Sequence, residues 1–154
     1  MIAALYVALT LVAHALHLDS GAVQFRVSEA LCILPFFIPE AIPGLYIGCL
    51  IANFAVGCLP PDLFFGSLAT LLGALFTYFL RKRSPYLAPI PTVLANTLIC
   101  PPVIYYCYMD SSVSPWTAIP LTAVGVLVGE ILSAYLCGIL LLLALRPHAK
   151  YIFR

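Results

Sequence analysis

Charge is what this chain has least of. Of its 154 residues only 8% are Asp, Glu, Lys or Arg and 64% belong to the hydrophobic class, against about 25% charged in an ordinary soluble domain. A surface that poor in charge excludes a water-soluble globular protein. Seven basic and six acidic residues leave a formal charge of +1, so no field is available to hold nucleic acid or a strongly charged protein. The sequence also lacks a Walker loop, a GxSxG elbow, an HExxH pair and the acidic cluster that a lipid transferase uses, so nothing in it predicts an enzyme. The cysteines at 32, 49, 58, 100, 107 and 137 form no CxxC pair and sit in apolar stretches, where free cysteine packs as a small hydrophobe. His14 and His17 stand three apart near the end of the first apolar run, but without converging acids or thiols they predict no metal site.

What is present is apolar sequence, and it predicts an all-α integral membrane protein. At about 20 residues per helical crossing, a chain of 154 residues holds six or seven spans and no sizeable extramembrane domain. Six are predicted in one transmembrane domain, at about 2–18, 27–38, 42–59, 62–80, 87–108 and 116–145. The first starts at Met1 without the basic leader of a signal peptide and reads as a retained span. The second, closed by Pro39-Glu40-Ala41-Ile42-Pro43-Gly44, is too short to cross unaided. It is tilted, extended back towards Val23 or re-entrant, each of which requires protein neighbours to satisfy its backbone.

Loop charge predicts the orientation, because Lys and Arg collect on the cytoplasmic side. With both termini cytoplasmic, Arg81, Lys82, Arg83, Arg146, Lys150 and Arg154 lie inside and Arg26 alone lies outside. Asp19, Glu29, Asp62 and Asp110 then fall at or near the outer face, and Tyr108 and Trp116 flank the last outer loop.

Polar side chains inside the spans carry the functional signal, since an ionisable group in hydrocarbon costs roughly 2.5–3.5 kcal/mol and by default marks a functional or paired site. Glu130 lies mid-span in Val128-Gly129-Glu130-Ile131, and is read either as a ligand contact or as a carboxyl that holds two helices together. Asn96 occupies a similar height in the fifth span, before the Pro101-Pro102 pair that removes backbone donors. On a helical projection Asn96, Cys100, Val103 and Cys107 share a face, Tyr106 flanks it and Tyr105 points away. Val23 to Ala30 is a polar stretch that reads as a loop over the helix ends, with Arg26 and Glu29 able to pair. Asn53, Ser67 and Thr70 are weaker candidates, because small polar groups also serve as interhelical glue. Ala4 and Ala8 make an AxxxA pattern in the first span that suits close helix packing, within this chain or against a partner.

The stretches Gln24-Phe25-Arg26-Val27-Ser28-Glu29-Ala30-Leu31, Leu34-Pro35-Phe36-Phe37, Ala41 to Asn53 and Asp62 to Leu71, with the later Asn96 and Gly129-Glu130 segments, together resemble the QueT family over nearly the whole chain. The resemblance implies a six-helix substrate-binding (S) component of an energy-coupling factor (ECF) transporter in a prokaryotic cell membrane. Such a component binds a queuosine precursor of the 7-deazaguanine class from outside. It docks on a transmembrane coupling subunit with two ABC-type ATPases that use the ATP, so no cofactor is expected on this chain, and the AxxxA element resembles the docking motif. In that setting Glu130 is expected to read the paired N–H donors of the base and Asn96 a neighbouring edge, with Arg26 and Glu29 in a lid that closes over the ligand. Glu29 or Asp62 would meet a cationic aminomethyl substituent, and Phe25, Tyr106 or Trp116 would stack on the ring. Asn53 completes the candidate set. An S component for another vitamin or nucleobase, and a self-contained facilitator, remain open at this point.

Overall fold

The computed structural model describes residues 1–18, 23–109 and 113–148. Asp19, Asp110, Lys150 and Arg154, to which the charge argument assigned sides, lie outside the described residues. Six rods follow in chain order: α1 (Ile2–Ala15), a 3₁₀ segment (Val27–Phe36), α2 (Ala41–Ala55), α3 (Pro60–Leu80), α4 (Ile90–Tyr108), and a long rod built from α5 (Pro115–Glu130), a π-helical stretch (Ile131–Cys137) and α6 (Gly138–Leu145). The described residues contain no strand. The runs Pro60–Leu80, Pro85–Tyr108 and Pro115–Leu145 are long and apolar enough to cross a membrane, and the other three rods are shorter and apolar. This is the architecture of a multi-pass membrane protein.

The helix ends follow from local chemistry. Prolines stand at the starts of α3 and α5, where the missing N–H is one that a helix leaves unpaired anyway. Two C-termini close in the same way. Past α2, Gly57 adopts φ +78°, its N–H bonds to Phe54 O at 3.1 Å and Cys58 N–H reaches back to Asn53 O at 2.9 Å, the paired bonds of a Schellman cap. Past α1, His17 takes the left-handed position at φ +57°, with His17 N–H on His14 O at 2.9 Å and Leu18 N–H on Ala13 O at 3.0 Å. The backbone at His17 is therefore used to end a helix, three residues before the expected limit at Leu18.

The second rod resolves the question of the short span. From Ser28 to Pro35 every residue is buried, and the segment packs against α1, α2, α3, α6 and the π stretch. At about 2.0 Å per residue a 3₁₀ helix reaches further than an α-helix of equal length, so these ten residues span about 20 Å, still short of a bilayer core of about 30 Å. The protein neighbours enclose it. It forms the centre of the bundle, and Leu31, Cys32 and Leu34 join Tyr6, Leu45, Cys49 and Ala74 in the main apolar core.

Around that centre, sequence neighbours pack side by side: α1 on α2, α2 on α3, α3 on α4 and α4 on α5. The α1–α2 contact is close because Gly48 has no side chain; a Cβ there would lie 2.9 Å from Tyr6 Cβ and 3.0 Å from Ala3 Cα. Backbone proximity of this kind replaces the hydrophobic drive that lipid does not supply. It uses Ala3 and leaves Ala4 and Ala8 exposed on the opposite side of α1.

Candidate functional site

Asn96 on α4 and Glu130 at the end of α5 meet directly. The Asn96 amide donates to Glu130 Oε1 at 3.0 Å, and both residues are 4% exposed. Glu130 Oε2 is also buried and has no hydrogen-bond partner. A carboxylate has about four lone-pair sites, so one oxygen is anchored and the other is left with unmet accepting capacity in a buried place. Cys100, one turn along α4, sends its thiol towards Asn96 Oδ1 at 3.7 Å. Glu130 is also the last α-helical residue before the π-helical stretch, a local widening often found at functional sites, and sequence periodicity does not reveal it.

A second polar cluster surrounds Glu29. Tyr6 donates its hydroxyl to Glu29 Oε1 at 2.5 Å, Thr70 donates to the same oxygen at 3.3 Å, and the Cys32 thiol donates to Oε2 at 3.1 Å. The Thr10 hydroxyl bonds Ser28 Oγ at 2.8 Å alongside. This corrects two expectations. Glu29 is 1% exposed and belongs to the central segment, so it is no lid residue. Nor do its side-chain bonds go to Arg26: Arg26 is extended, at φ −109° and ψ 94°, outside the helical turn that would have stacked the two side chains. The cysteines, read as space-fillers, take part in the polar network: Cys49 Sγ accepts from Thr70 at 3.4 Å and from the Asn53 amide at 3.6 Å. Tyr6 and Thr10 were not singled out, although two hydroxyls four residues apart on an aliphatic helix share a face.

Two cavities are lined in part by Gln24. One of about 370 Å³ carries polar and ionisable side chains on its wall, His14, Gln24, Arg26, Cys58, Asp62 and Tyr108 among others. The other, about 480 Å³ and mainly apolar, is lined by Val23, Gln24, Ile104 and the α5 residues Leu121 to Val128. Both have the size of a small-molecule site. Asp62 is 5% exposed and accepts from the Tyr108 hydroxyl at 3.0 Å, which itself accepts Leu59 N–H at 3.0 Å. Tyr108, read as an interfacial aromatic, thus fixes an acid at the cavity wall. At the same wall, burial first and then the Asp62 charge push the half-buried Cys58 thiol up to about 11. Gln24 and Ile104 belong to both linings, and neither lining includes Asn96 or Glu130.

Gln24 also touches α5. A Cβ on Gly129 would lie 2.0 Å from Gln24 O and 2.7 Å from its carbonyl carbon, so the peptide of Gln24 rests on the bare backbone next to Glu130. Phe25 is half-buried, and its N–H bonds to Leu18 O at 3.0 Å. Arg26 lines the same cavity as Asp62.

Other candidates stand apart. Asn53 is buried between α2 and α3, bonded to Cys49. Tyr106 and Trp116 are 76% and 89% exposed and are not brought to the cavities. The projection of α4 is also corrected: Tyr105 is buried and donates to Val113 O at 2.8 Å, while Tyr106 faces out. The buried side of α4 changes past Pro101-Pro102, where the outer turns face the connection to α5 instead of the interior that holds Asn96. The described residues hold no group of three or more His, Cys, Asp or Glu placed to bind a metal.

Comparisons with known proteins agree with this picture. The family described as QueT transporter matches residues 1–147. The queuosine precursor transporter QueT of Lactococcus lactis subsp. cremoris (strain MG1363) is 40% identical over 72 residues, a stretch covering 47% of this chain and 42% of the relative. No solved structure gives a significant match. With five apolar rods around a buried 3₁₀ core and a family match across almost its full length, the chain belongs to the QueT transporter family.

Proposed function

We propose that this chain is the substrate-binding subunit of an ECF-type transporter. It takes a queuosine precursor of the 7-deazaguanine class from the outer side and releases it inward when docked to a transmembrane coupling subunit with two ATPases. The observation that carries the reading is Glu130 Oε2, buried without a partner beside an oxygen anchored by Asn96. A 7-deazaguanine offers N1–H and an exocyclic amine side by side, and a carboxylate accepts such a pair through both oxygens. Glu130 Oε1 retains a lone pair after accepting from Asn96, so the anchored pair can still present a two-oxygen edge. The relative's name, which specifies a queuosine precursor, points to the same ligand.

Asp62, held by Tyr108 at the wall of the smaller cavity, would meet a cationic aminomethyl substituent. Glu29 would act at a distance, because its oxygens are already engaged. Ala4 and Ala8, exposed while α1 uses Ala3 to approach α2, supply the docking surface for the coupling subunit. No cofactor is needed on this chain, since hydrolysis of ATP falls to its partners. The two basic clusters put both termini on the cytoplasmic side.

The test is calorimetry on the detergent-purified chain with 7-aminomethyl-7-deazaguanine, 7-cyano-7-deazaguanine and guanine, together with mass spectrometry of any ligand that co-purifies. Saturable binding of a 7-deazaguanine, and uptake in liposomes only when the ATPase module and ATP are present, are expected. Binding of none of them, or flux through the chain alone, overturns the proposal.

A further inference from the structure

The exposed side of the α3–α4 pair carries a groove that the binding of a small solute does not use. Along α3, Pro61, Phe65, Leu68, Leu72, Phe76 and Leu80 recur every three or four positions, so they form one stripe, and all six line the groove. Its two halves, about 410 and 570 Å³, share Leu98 and Ile99 on the α4 side and make a continuous seam. From Pro61 to Leu80 the stripe rises about 29 Å at helical pitch, close to the roughly 30 Å of a bilayer core. We infer that this seam seats an anionic phospholipid of the cytoplasmic leaflet, with an acyl chain in the half between Leu72 and Leu80 and the phosphate on Lys82 and Arg83.

The seam exists because the two helices approach too closely for large side chains to lie between them. A Cβ on Gly73 would sit 2.7 Å from Thr92 Cα, and the Thr77 hydroxyl donates to Ala88 O at 2.7 Å. Gly73 and Thr77 are both buried, as small residues at a membrane helix contact are. The large side chains Phe76, Leu94 and Leu98 stand on the exposed side instead and form the walls of a trough. Every residue lining the half that ends at Leu80 is apolar. Such a lining offers a solute no hydrogen bond, and an acyl chain requires none.

Charge at one end identifies the occupant. Leu80 and Ile90, which line the seam there, are the two ends of the loop that carries Arg81, Lys82 and Arg83. The Arg83 N–H bonds Leu80 O at 2.9 Å, which keeps its backbone beside the mouth of the seam. Arg81 turns back on its own helix, its guanidinium 4.0 Å from the centre of the Tyr78 ring, a cation–π contact, whereas Lys82 and Arg83 are exposed. No Asp or Glu occurs between Asp62 and Asp110, so neither these helices nor their loop supplies a counter-charge. Basic sites between helices on the cytoplasmic side recruit anionic lipid headgroups, and the loop charges orient this end to that side. A helix of a partner protein could fill the trough, but it has no need of cations at one end, so the charge selects the phospholipid.

The experiment is native mass spectrometry of the full chain in detergent, titrated separately with phosphatidylglycerol and with phosphatidylcholine of the same acyl chains. Phosphatidylglycerol is expected to bind about tenfold or more tighter, in keeping with the pull of two cations on an anionic headgroup. Lys82→Gln with Arg83→Gln should bring the two lipids level. Leu98→Gln, at a position 72% exposed, puts an amide in the seam and should weaken both lipids by about tenfold, while Leu140→Gln, an outward change on α6 at 60% exposure, should weaken neither. Should Leu98→Gln fail to fold, Ala95→Phe fills the same half of the seam, and the same loss is expected. Equal binding of the two lipids by the unmodified chain overturns the inference. So does a preference that survives the Lys82 and Arg83 changes, an unaltered lipid affinity in the folded seam variant, or an equal loss in Leu140→Gln. Loss of ATP-driven uptake in the double variant with its lipid preference intact also overturns it, and gives this face to the coupling subunit. Binding of 7-deazaguanine, followed by calorimetry, should be the same in all these variants, so failure here leaves the ligand-binding reading untouched.

Discussion

Tyr6 donates its hydroxyl to Glu29 across 2.5 Å, tying the first helix to the 3₁₀ segment at the centre of the bundle. Both residues are 1% exposed, and the carboxylate also receives Thr70 and Cys32. An acid satisfied by three donors holds its surroundings together, whereas an acid with an empty oxygen can take a ligand. On the proposed function, that difference gives Glu29 a structural role and Glu130 a binding one.

The structural role predicts a loss of stability. Tyr6→Phe should lower the unfolding free energy by about 1–3 kcal/mol, the range for removing the partner of a buried polar group. Glu29→Ala should lower it further, by stranding Tyr6, Thr70 and Cys32 together. Thermal unfolding in detergent measures both, and an unchanged midpoint for Glu29→Ala would remove the cluster from the account of stability.

For the binding role, Glu130→Gln and Asn96→Ala should weaken 7-deazaguanine binding by about tenfold or more, since each removes or unanchors a buried charge-assisted contact. The folded fraction should change little. Calorimetry checks this against Tyr6→Phe, which should retain ligand affinity although it loses stability. Equal affinities for the unmodified chain and both site variants would place the ligand elsewhere.

Docking is separable from binding. Ala4→Arg or Ala8→Arg puts a large cation on the exposed side of α1, away from the Ala3–Gly48 contact. Ligand affinity should stay within about twofold, as expected for a remote surface change, and ATP-driven uptake should be lost. Normal uptake by both variants would locate the partner on another face.

A pH dependence follows at the cavity wall. Burial and the Asp62 charge hold the Cys58 thiol up to about 11, and the thiolate is the reactive form. Because the shift is upward, the thiol dominates at neutral pH and the rate of alkylation should still be climbing from pH 8 to 10. Asp62→Asn removes one upward influence and should speed the reaction at pH 8. A rate that levels off below pH 9, or no change in the Asp62 variant, would contradict this placement of the two side chains.

Much of this was legible from residue order because the constraints are local. Runs of apolar residues bounded by proline and glycine fix where helices begin and end whatever they pack against, and a charged or amide side chain in such a run is conspicuous by itself. Glu130 and Asn96 were found in that way. The second span was marked as needing protein neighbours because its length is too small for a bilayer, which is again a local fact. The network roles of Tyr6, Cys32 and Cys49 were missed because a tyrosine or cysteine within an apolar run is unremarkable until an acid 23 residues away in the case of Tyr6 is seen to lie against it. The outward turn of Tyr106 and Trp116 was missed for a related reason: aromatic rings suit a ligand pocket and a lipid surface equally, and only packing distinguishes them.

Composition and periodicity thus determined a bundle of apolar helices in a membrane with two conspicuous polar groups at depth, since the cost of charge and unpaired backbone in hydrocarbon is felt residue by residue. Tertiary structure alone decided that the short second rod is the core, that Glu29 is saturated while Glu130 keeps an open oxygen, and that Gln24 lies across Gly129. Each of these depends on which distant segments come within 3–4 Å of one another, and hydrogen-bond saturation and steric exclusion act only over that range.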